Sequence, residues 1–153
     1  GESAFRGTGL TSSIAFPAAL KSIGADAFRD SGLVSLTPSL PNLATVGARA
    51  FYASGLTSLN LLDTAITSIP DELCRGCASL TSVQLPSTVT SIGQYAFWEC
   101  PQLGLVYMPL NAQVGTLAFT NGYSRGTAPS GPPPSPLKKC SRICLIFVQV
   151  LLE

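Results

Sequence analysis

Cys74 and Cys77 stand three positions apart, and Cys100 follows one repeat later. On spacing alone, Cys74-x-x-Cys77 reads as a redox pair or half a zinc site. A structural zinc needs two more ligands. Cys100 could supply one, but no fourth is evident nearby, and the chain has no histidine. That absence removes His-dependent triads, Cys-His nucleophile pairs and His-bound metal. Paired carboxylates share no strand face. Asp71-Glu72 falls on a connecting arm, where acidity at a helix start is the simpler account. Gly7-Thr8-Gly9 lacks the lysine and the strand-to-helix setting of a phosphate loop. No catalytic residue, cofactor or metal is therefore expected.

The cysteines find a plainer explanation in the elements that hold them. Ala-Phe recurs at Ala4-Phe5, Ala27-Phe28, Ala50-Phe51, Ala96-Phe97 and Ala118-Phe119, with Leu73-Cys74 in the vacant slot. The steps are 23 residues and the last is 22. A period of this size marks a solenoid. Ahead of the pair stands an aliphatic-Gly step: Ile23-Gly24, Val46-Gly47, Ile92-Gly93 and Val114-Gly115, with Ile69-Pro70 in the fourth slot. Behind it comes a small residue: Thr8, Ser31, Ser54, Cys77, Cys100. Cys74 thus occupies a buried Phe position and Cys77 a small-residue position. Equivalent places on adjacent coils lie roughly 4.7–5 Å apart. Disulfides need Cα separations of roughly 4.4–6.8 Å, so a Cys77–Cys100 bridge is sterically possible in an oxidising compartment. Packed free thiols are the other reading.

Each small residue leads into Leu-x-x-aliphatic-x-apolar, clearest in Leu80-x-x-Val83-x-Leu85-Pro86 and Leu103-x-x-Val106-x-Met108-Pro109. The alternation predicts a short strand with one side chain inward and the next outward. The closing proline cannot donate to a ladder and ends it. The glycine before Ala-Phe is expected to permit a tight return of the chain. Each coil is then one strand plus an irregular return arm, and only stacking buries its apolar columns. Burying a Phe contributes roughly 1.5–3 kcal/mol.

The pattern Ile-Gly-x-x-Ala-Phe-x-x-Cys with Leu-x-x-Val-x-Leu-Pro resembles the BspA-type, or treponemal-type, leucine-rich repeat. Ile92 to Phe97, Cys100, and Leu80 to Pro86 match most closely, and the likeness runs from residue 1 to about residue 120. The first three coils lack the Cys, and Leu73-Cys74 departs from Ala-Phe. The resemblance implies a leucine-rich-repeat solenoid of about five 22–23-residue coils. Short parallel β-strands would line its concave side, with irregular or short helical return arms on the convex side. It also implies a surface-exposed or secreted binding protein, and a Cys column of free thiols.

On that fold the outward strand positions form the concave face. They read Ser13 and Ala15, Ser35 and Thr37, Ser58 and Asn60, Ser82 and Gln84, Leu105 and Tyr107. The face is small, neutral and rich in hydroxyls, which suits a polypeptide or glycan backbone better than an ion or nucleotide. The candidate partner-binding residues are Ser35, Thr37, Ser58, Asn60, Ser82, Gln84, Leu105 and Tyr107. Tyr107 is the foremost contact, because large aromatics anchor interfaces. Plain solvated sheet is the bland reading of the same residues. A repeat region of a larger receptor or enzyme, such as a repeat-bearing kinase, is the alternative function.

Composition sets the remaining bounds. Apolar residues make up 46%, charged residues 11%, and the net charge is +1. Nothing in that balance favours nucleic acid. Charges such as Arg29, Asp30, Arg49, Arg75 and Glu99 fall on the return arms and read as a solvated convex face. The organisation expected is a solenoid over 1–124, starting mid-repeat as a slice of a longer protein, a Pro/Gly-rich and basic linker over 125–142, and an apolar tail over 143–153. The run Ile143 to Leu152 has 10 residues, and a helix of that length spans about 15 Å, half a bilayer core. A truncated membrane span, a non-native end and a docked apolar end all remain open for it.

Overall fold

A computed structural model describes residues 1–10, 14–37 and 40–119, so the segments 125–142 and 143–153 lie outside the described residues. Its strands, in chain order, are β1 (Ile14–Ala15), β2 (Ser22–Ile23), β3 (Leu36–Thr37), β4 (Thr45–Val46), β5 (Ser58–Asn60), β6 (Ser68–Ile69), β7 (Ser82–Gln84), β8 (Ser91–Ile92), β9 (Leu105–Tyr107) and β10 (Gln113–Val114). All pairings are parallel and join equivalent places on successive coils. The odd-numbered strands carry the Leu-x-x-aliphatic motif and form the row the alternation predicts: β1–β3 and β5–β7–β9.

The even-numbered strands correct the expected return arm. Ser22–Ile23 and its equivalents pair as β2–β4 and β6–β8–β10, a second row within what sequence reads as irregular chain. Ile23, Val46, Ile69 and Ile92 point inward and are buried. No helix occurs among the described residues.

Both rows break between the second and third coils. In the even-numbered row Pro70 stands just after β6, where Gly47, Gly93 and Gly115 each donate to the preceding coil, and proline has no N–H to donate. Other bonds bridge the break: Gly55 N–H donates to Ser31 O at 2.9 Å, Thr57 N–H to Val34 O at 3.1 Å, and Ala65 N–H to Leu43 O at 2.9 Å.

The arms form a third ladder with an unusual backbone. In the arm after Gly24, Ala27, Arg29 and Ser31 donate locally to Gly24, Asp26 and Phe28 carbonyls at 3.4, 3.1 and 3.3 Å. The alternate N–H groups, of Asp26, Phe28 and Asp30, donate to Ala48, Ala50 and Tyr52 carbonyls of the next coil at 3.0, 2.7 and 2.8 Å. Left-handed residues make the alternation possible: Asp26 (φ 52), Asp30 (φ 55), Arg49 (φ 57), Ala53 (φ 49), Glu72 (φ 56) and Glu99 (φ 57). Each such residue costs roughly 1–2 kcal/mol, and the inter-coil bond it makes, about 0.5–1.5 kcal/mol, offsets much of that.

The glycines of the aliphatic-Gly step serve close approach rather than a turn. A Cβ on Gly115 would lie 2.8 Å from Gln94 N and Gly93 C of the coil before it. On Gly47 it would lie 2.7 Å from the Ala25 Cα. At these positions the absence of a Cβ lets the backbones stack this tightly.

The aromatic spine forms as its spacing predicts. Phe5 and Phe28 stack at 5.1 Å, Phe28 and Phe51 at 5.7 Å, and Phe97 and Phe119 at 5.3 Å between ring centroids. Cys74, fully buried, holds the missing ring's place. Its N–H donates to Ala96 O at 2.7 Å, as Phe28 does to Ala50.

Candidate functional site

The odd-numbered row sets the candidate face. Its inward positions Leu59, Val83 and Val106 are buried and aligned, which forces their neighbours outward. Ser58, Ser82 and Leu105 share one column, and Asn60, Gln84 and Tyr107 share the next. Six of the eight expected residues therefore lie on one three-stranded sheet. Thr37 lies on the separate β1–β3 pair, in register with Ala15, and Ser35 stands just ahead of β3. The strands stand about 4.8 Å apart, so each column repeats hydrogen-bonding groups at that interval.

Neither column holds an ionisable acid or base other than Tyr107. Ser58, Ser82, Gln84, Leu105 and Tyr107 are half-buried, and Asn60 is exposed. Asn60 is partly committed to its own turn, because its Oδ1 accepts the Leu62 N–H at 3.1 Å. Such a face can offer amide, hydroxyl and ring contacts.

The cysteines are placed for packing. Cys74, Cys77 and Cys100 are free thiols, all buried. Cys77 Sγ donates to Phe51 O at 3.0 Å, and Cys100 Sγ donates to Cys74 O at 3.1 Å. The hydroxyls of the same column act alike: Thr8 Oγ1 donates to Phe5 O and Ser31 Oγ to Phe28 O, each at 2.7 Å. Thr8, Ser31, Cys77 and Cys100 are thus tethered to arm carbonyls, the thiols reaching across to the preceding coil, and the Ser54 hydroxyl meets the Cys77 sulfur at 3.4 Å. Burial pushes the Cys74 thiol well above its ordinary value, whereas hydrogen bonding with Cys74 draws Cys77 down. No group of three or more His, Cys, Asp or Glu suited to a metal ion occurs among the described residues.

The arms hold an ordered feature that reading the charges singly does not reveal. Of the residues that follow the Phe positions, Arg29, Tyr52 and Arg75 meet across coils, and Tyr95 links Arg75 to Trp98. The Arg29 guanidinium lies 4.7 Å from the Tyr52 ring centroid. Arg75 lies 5.9 Å from Tyr52 and 5.6 Å from Tyr95, and Tyr95 meets Trp98 edge-on at 6.0 Å. Carboxylates fix the cations. Asp26 binds Arg29 and Arg49, each at 3.2 Å, and Glu72 binds Arg75 at 3.1 Å. The convex charges are thus a laced ridge rather than independently solvated groups. The signal was present in the sequence as a column one place after the Phe column.

These features define a parallel β-solenoid of leucine-rich-repeat type. The family model for the BspA type leucine rich repeat region matches residues 1–124 in 6 copies, and the chain belongs to that family. Arms open at Gly1, Gly24, Gly47, Pro70, Gly93 and Gly115, and these positions bound the five 22–23-residue coils expected. Among solved structures, a leucine-rich repeat protein from Bacteroides ovatus ATCC 8483 is similar over 77% of this chain, at 22% identity and a TM-score of 0.54. The likeness covers 37% of that protein's chain, and it concerns the fold alone. No curated protein matches the chain.

Proposed function

We infer that this is a non-catalytic binding module that lays an extended, uncharged polymer, a polypeptide or a glycan, across the odd-numbered strand face. The observation that carries the reading is the in-register pair of columns, Ser58/Ser82/Leu105 and Asn60/Gln84/Tyr107. A repeating partner finds hydrogen-bonding groups at a constant interval there, ending on an aromatic side chain. Tyrosine supplies contact area at low entropic cost. Family membership supports a surface-exposed or secreted setting. Repeat proteins of this kind generally bind through extended faces rather than catalyse.

The test is binding to arrayed neutral peptides and glycans by the parent chain and by Tyr107→Ala, with thermal unfolding alongside. The expected result is a loss of binding of about tenfold with an unchanged unfolding midpoint, since one interfacial aromatic contributes about 1–2 kcal/mol or more. Equal loss of binding and stability would make Tyr107 structural. No binding by the parent to either class would overturn the reading.

A further inference from the structure

The chain's one tryptophan, Trp98, stands on the convex ridge and is only half-buried. Its indole N–H has no hydrogen-bond partner among the described residues. Tyr52, also half-buried, follows the Phe position two coils earlier. Arg75 lies between them, 5.9 Å from the Tyr52 ring and 5.6 Å from that of Tyr95, which meets Trp98 edge-on. Glu72 and Glu99 hold Arg75 at 3.1 and 3.5 Å, so the guanidinium is a fixed spacer between two aromatic surfaces.

The spacing selects a ligand conformation. Two coils at about 4.8 Å each place Tyr52 and Trp98 about 9.6 Å apart along the ridge. In a polyproline-II helix, residues three apart return to the same side after about 9.3 Å. An α-helical turn of about 5.4 Å and a strand repeat of about 6.7 Å fit that interval less well. Polyproline-II carbonyls also lack internal partners, so one of them can accept the Trp98 indole N–H.

We propose that the Tyr52–Trp98 stretch of the ridge is a docking strip for the chain's own proline-rich segment, residues 126–136. That segment holds two proline pairs three apart, Pro129-Ser130-Gly131-Pro132 and Pro133-Pro134-Ser135-Pro136. One pair seats its prolines against the Tyr52 and Trp98 surfaces, with Arg75 between them. Where the chain leaves the solenoid favours this occupant. Phe119 bridges Phe97 in parallel, so the path onward starts one coil from Trp98. Pro129 lies 10 residues further on and can reach about 35 Å from Phe119. Tyr52 is three coils back, about 14 Å at the strand spacing. A proline-rich segment loses little conformational freedom on docking to aromatic surfaces, and a short tether supplies it at about millimolar effective concentration.

Trp98 reports its own cover, because no other tryptophan contributes to the emission. Acrylamide quenching is measured on the full chain and on a full-length variant carrying Pro129→Gly, Pro132→Gly, Pro133→Gly, Pro134→Gly and Pro136→Gly. The variant's quenching constant is expected to be about twice the parent's or more, with the far-UV circular dichroism of the solenoid unchanged. A peptide of residues 126–136 added at about 1 mM is expected to return the variant to the parent's value, and a Gly/Ser peptide of equal length is not. Equal quenching of parent and variant would overturn the proposal. So would protection by the Gly/Ser peptide, because the strip would then not select proline. Protection of the parent that fades on dilution would overturn it too, since the segment would then come from a second copy.

Discussion

Phe51 shows what one position in a stacked column contributes. Its ring is wholly buried and rests on Phe28. Neighbouring coils held by arm bonds on both sides, Phe28 N–H to Ala50 O and Phe51 N–H to Leu73 O, cannot close around a hole there. Phe51→Ala is therefore expected to cost about 3–5 kcal/mol, read from the urea midpoint. Cys74 occupies the equivalent place one coil on, and its burial carries a pH signature. A thiol whose folded-state pKa is raised contributes stability that is fully present below the ordinary thiol value, about 8.5, and lost as pH rises. Cys77 is drawn the other way by its bond with Cys74, so the fully buried Cys74 sets the direction. Urea midpoints are expected to fall between pH 8 and pH 10, and Cys74→Ala is expected to flatten that slope. Both roles were legible beforehand, because a position 23 residues from a Phe on either side must face the same interior. Cys77 and Cys100 each use the sulfur as a tether to a carbonyl.

At the scale of the element, the arm holds what the sequence concealed. The strands β2, β4, β6, β8 and β10 are two residues long, too short to show alternation. They exist only through their neighbours on other coils. The ridge was hidden for a related reason: Arg29, Tyr52 and Arg75 are distant in sequence and touch only after stacking. Tyr52→Ala removes the ring that Arg29 and Arg75 flank and is expected to cost about 1 kcal/mol, with Tyr52→Phe near neutral. Thermal unfolding of the two variants side by side checks this. Gly47→Ala drives a methyl into the Ala25 backbone, and overpacking of that kind is expected to cost about 1–3 kcal/mol. A stable Gly47→Ala variant would mean that the coils can part without penalty. The candidate binding columns were fully legible, since alternation alone sends Ser82 and Gln84 outward around Val83. The division of that face between β3 and β5 was not, because it depends on which backbone groups meet across coils.

Across the whole molecule, stability is expected to be graded. Each coil touches only its neighbours, so end coils carry fewer contacts than those inside. Phe5 is 40% exposed where Phe51 and Phe97 are fully covered. Phe5→Ala should cost under about half of what Phe51→Ala costs, and amides of the first arm should exchange faster than those of the arms that open at Gly24, Gly47 and Pro70. Uniform exchange along the solenoid would contradict this and imply an all-or-none unit.

The direction of the arm bonds has a consequence for the molecule's electrical character. In the arms that open at Gly1, Gly24, Gly47, Pro70 and Gly93, the inter-coil N–H groups point toward the later coil, as Ser3, Phe5 and Gly7 do toward Ala25, Ala27 and Arg29. The peptide dipoles of successive arms therefore line up across the coils, at right angles to the path of the chain. An α-helix leads with positive N–H groups at its N-terminal end. This filament has the reverse polarity, with carbonyls leading at the Gly1 end. Every coil added in register polarises the row further, so the solenoid is a vector as well as a stack.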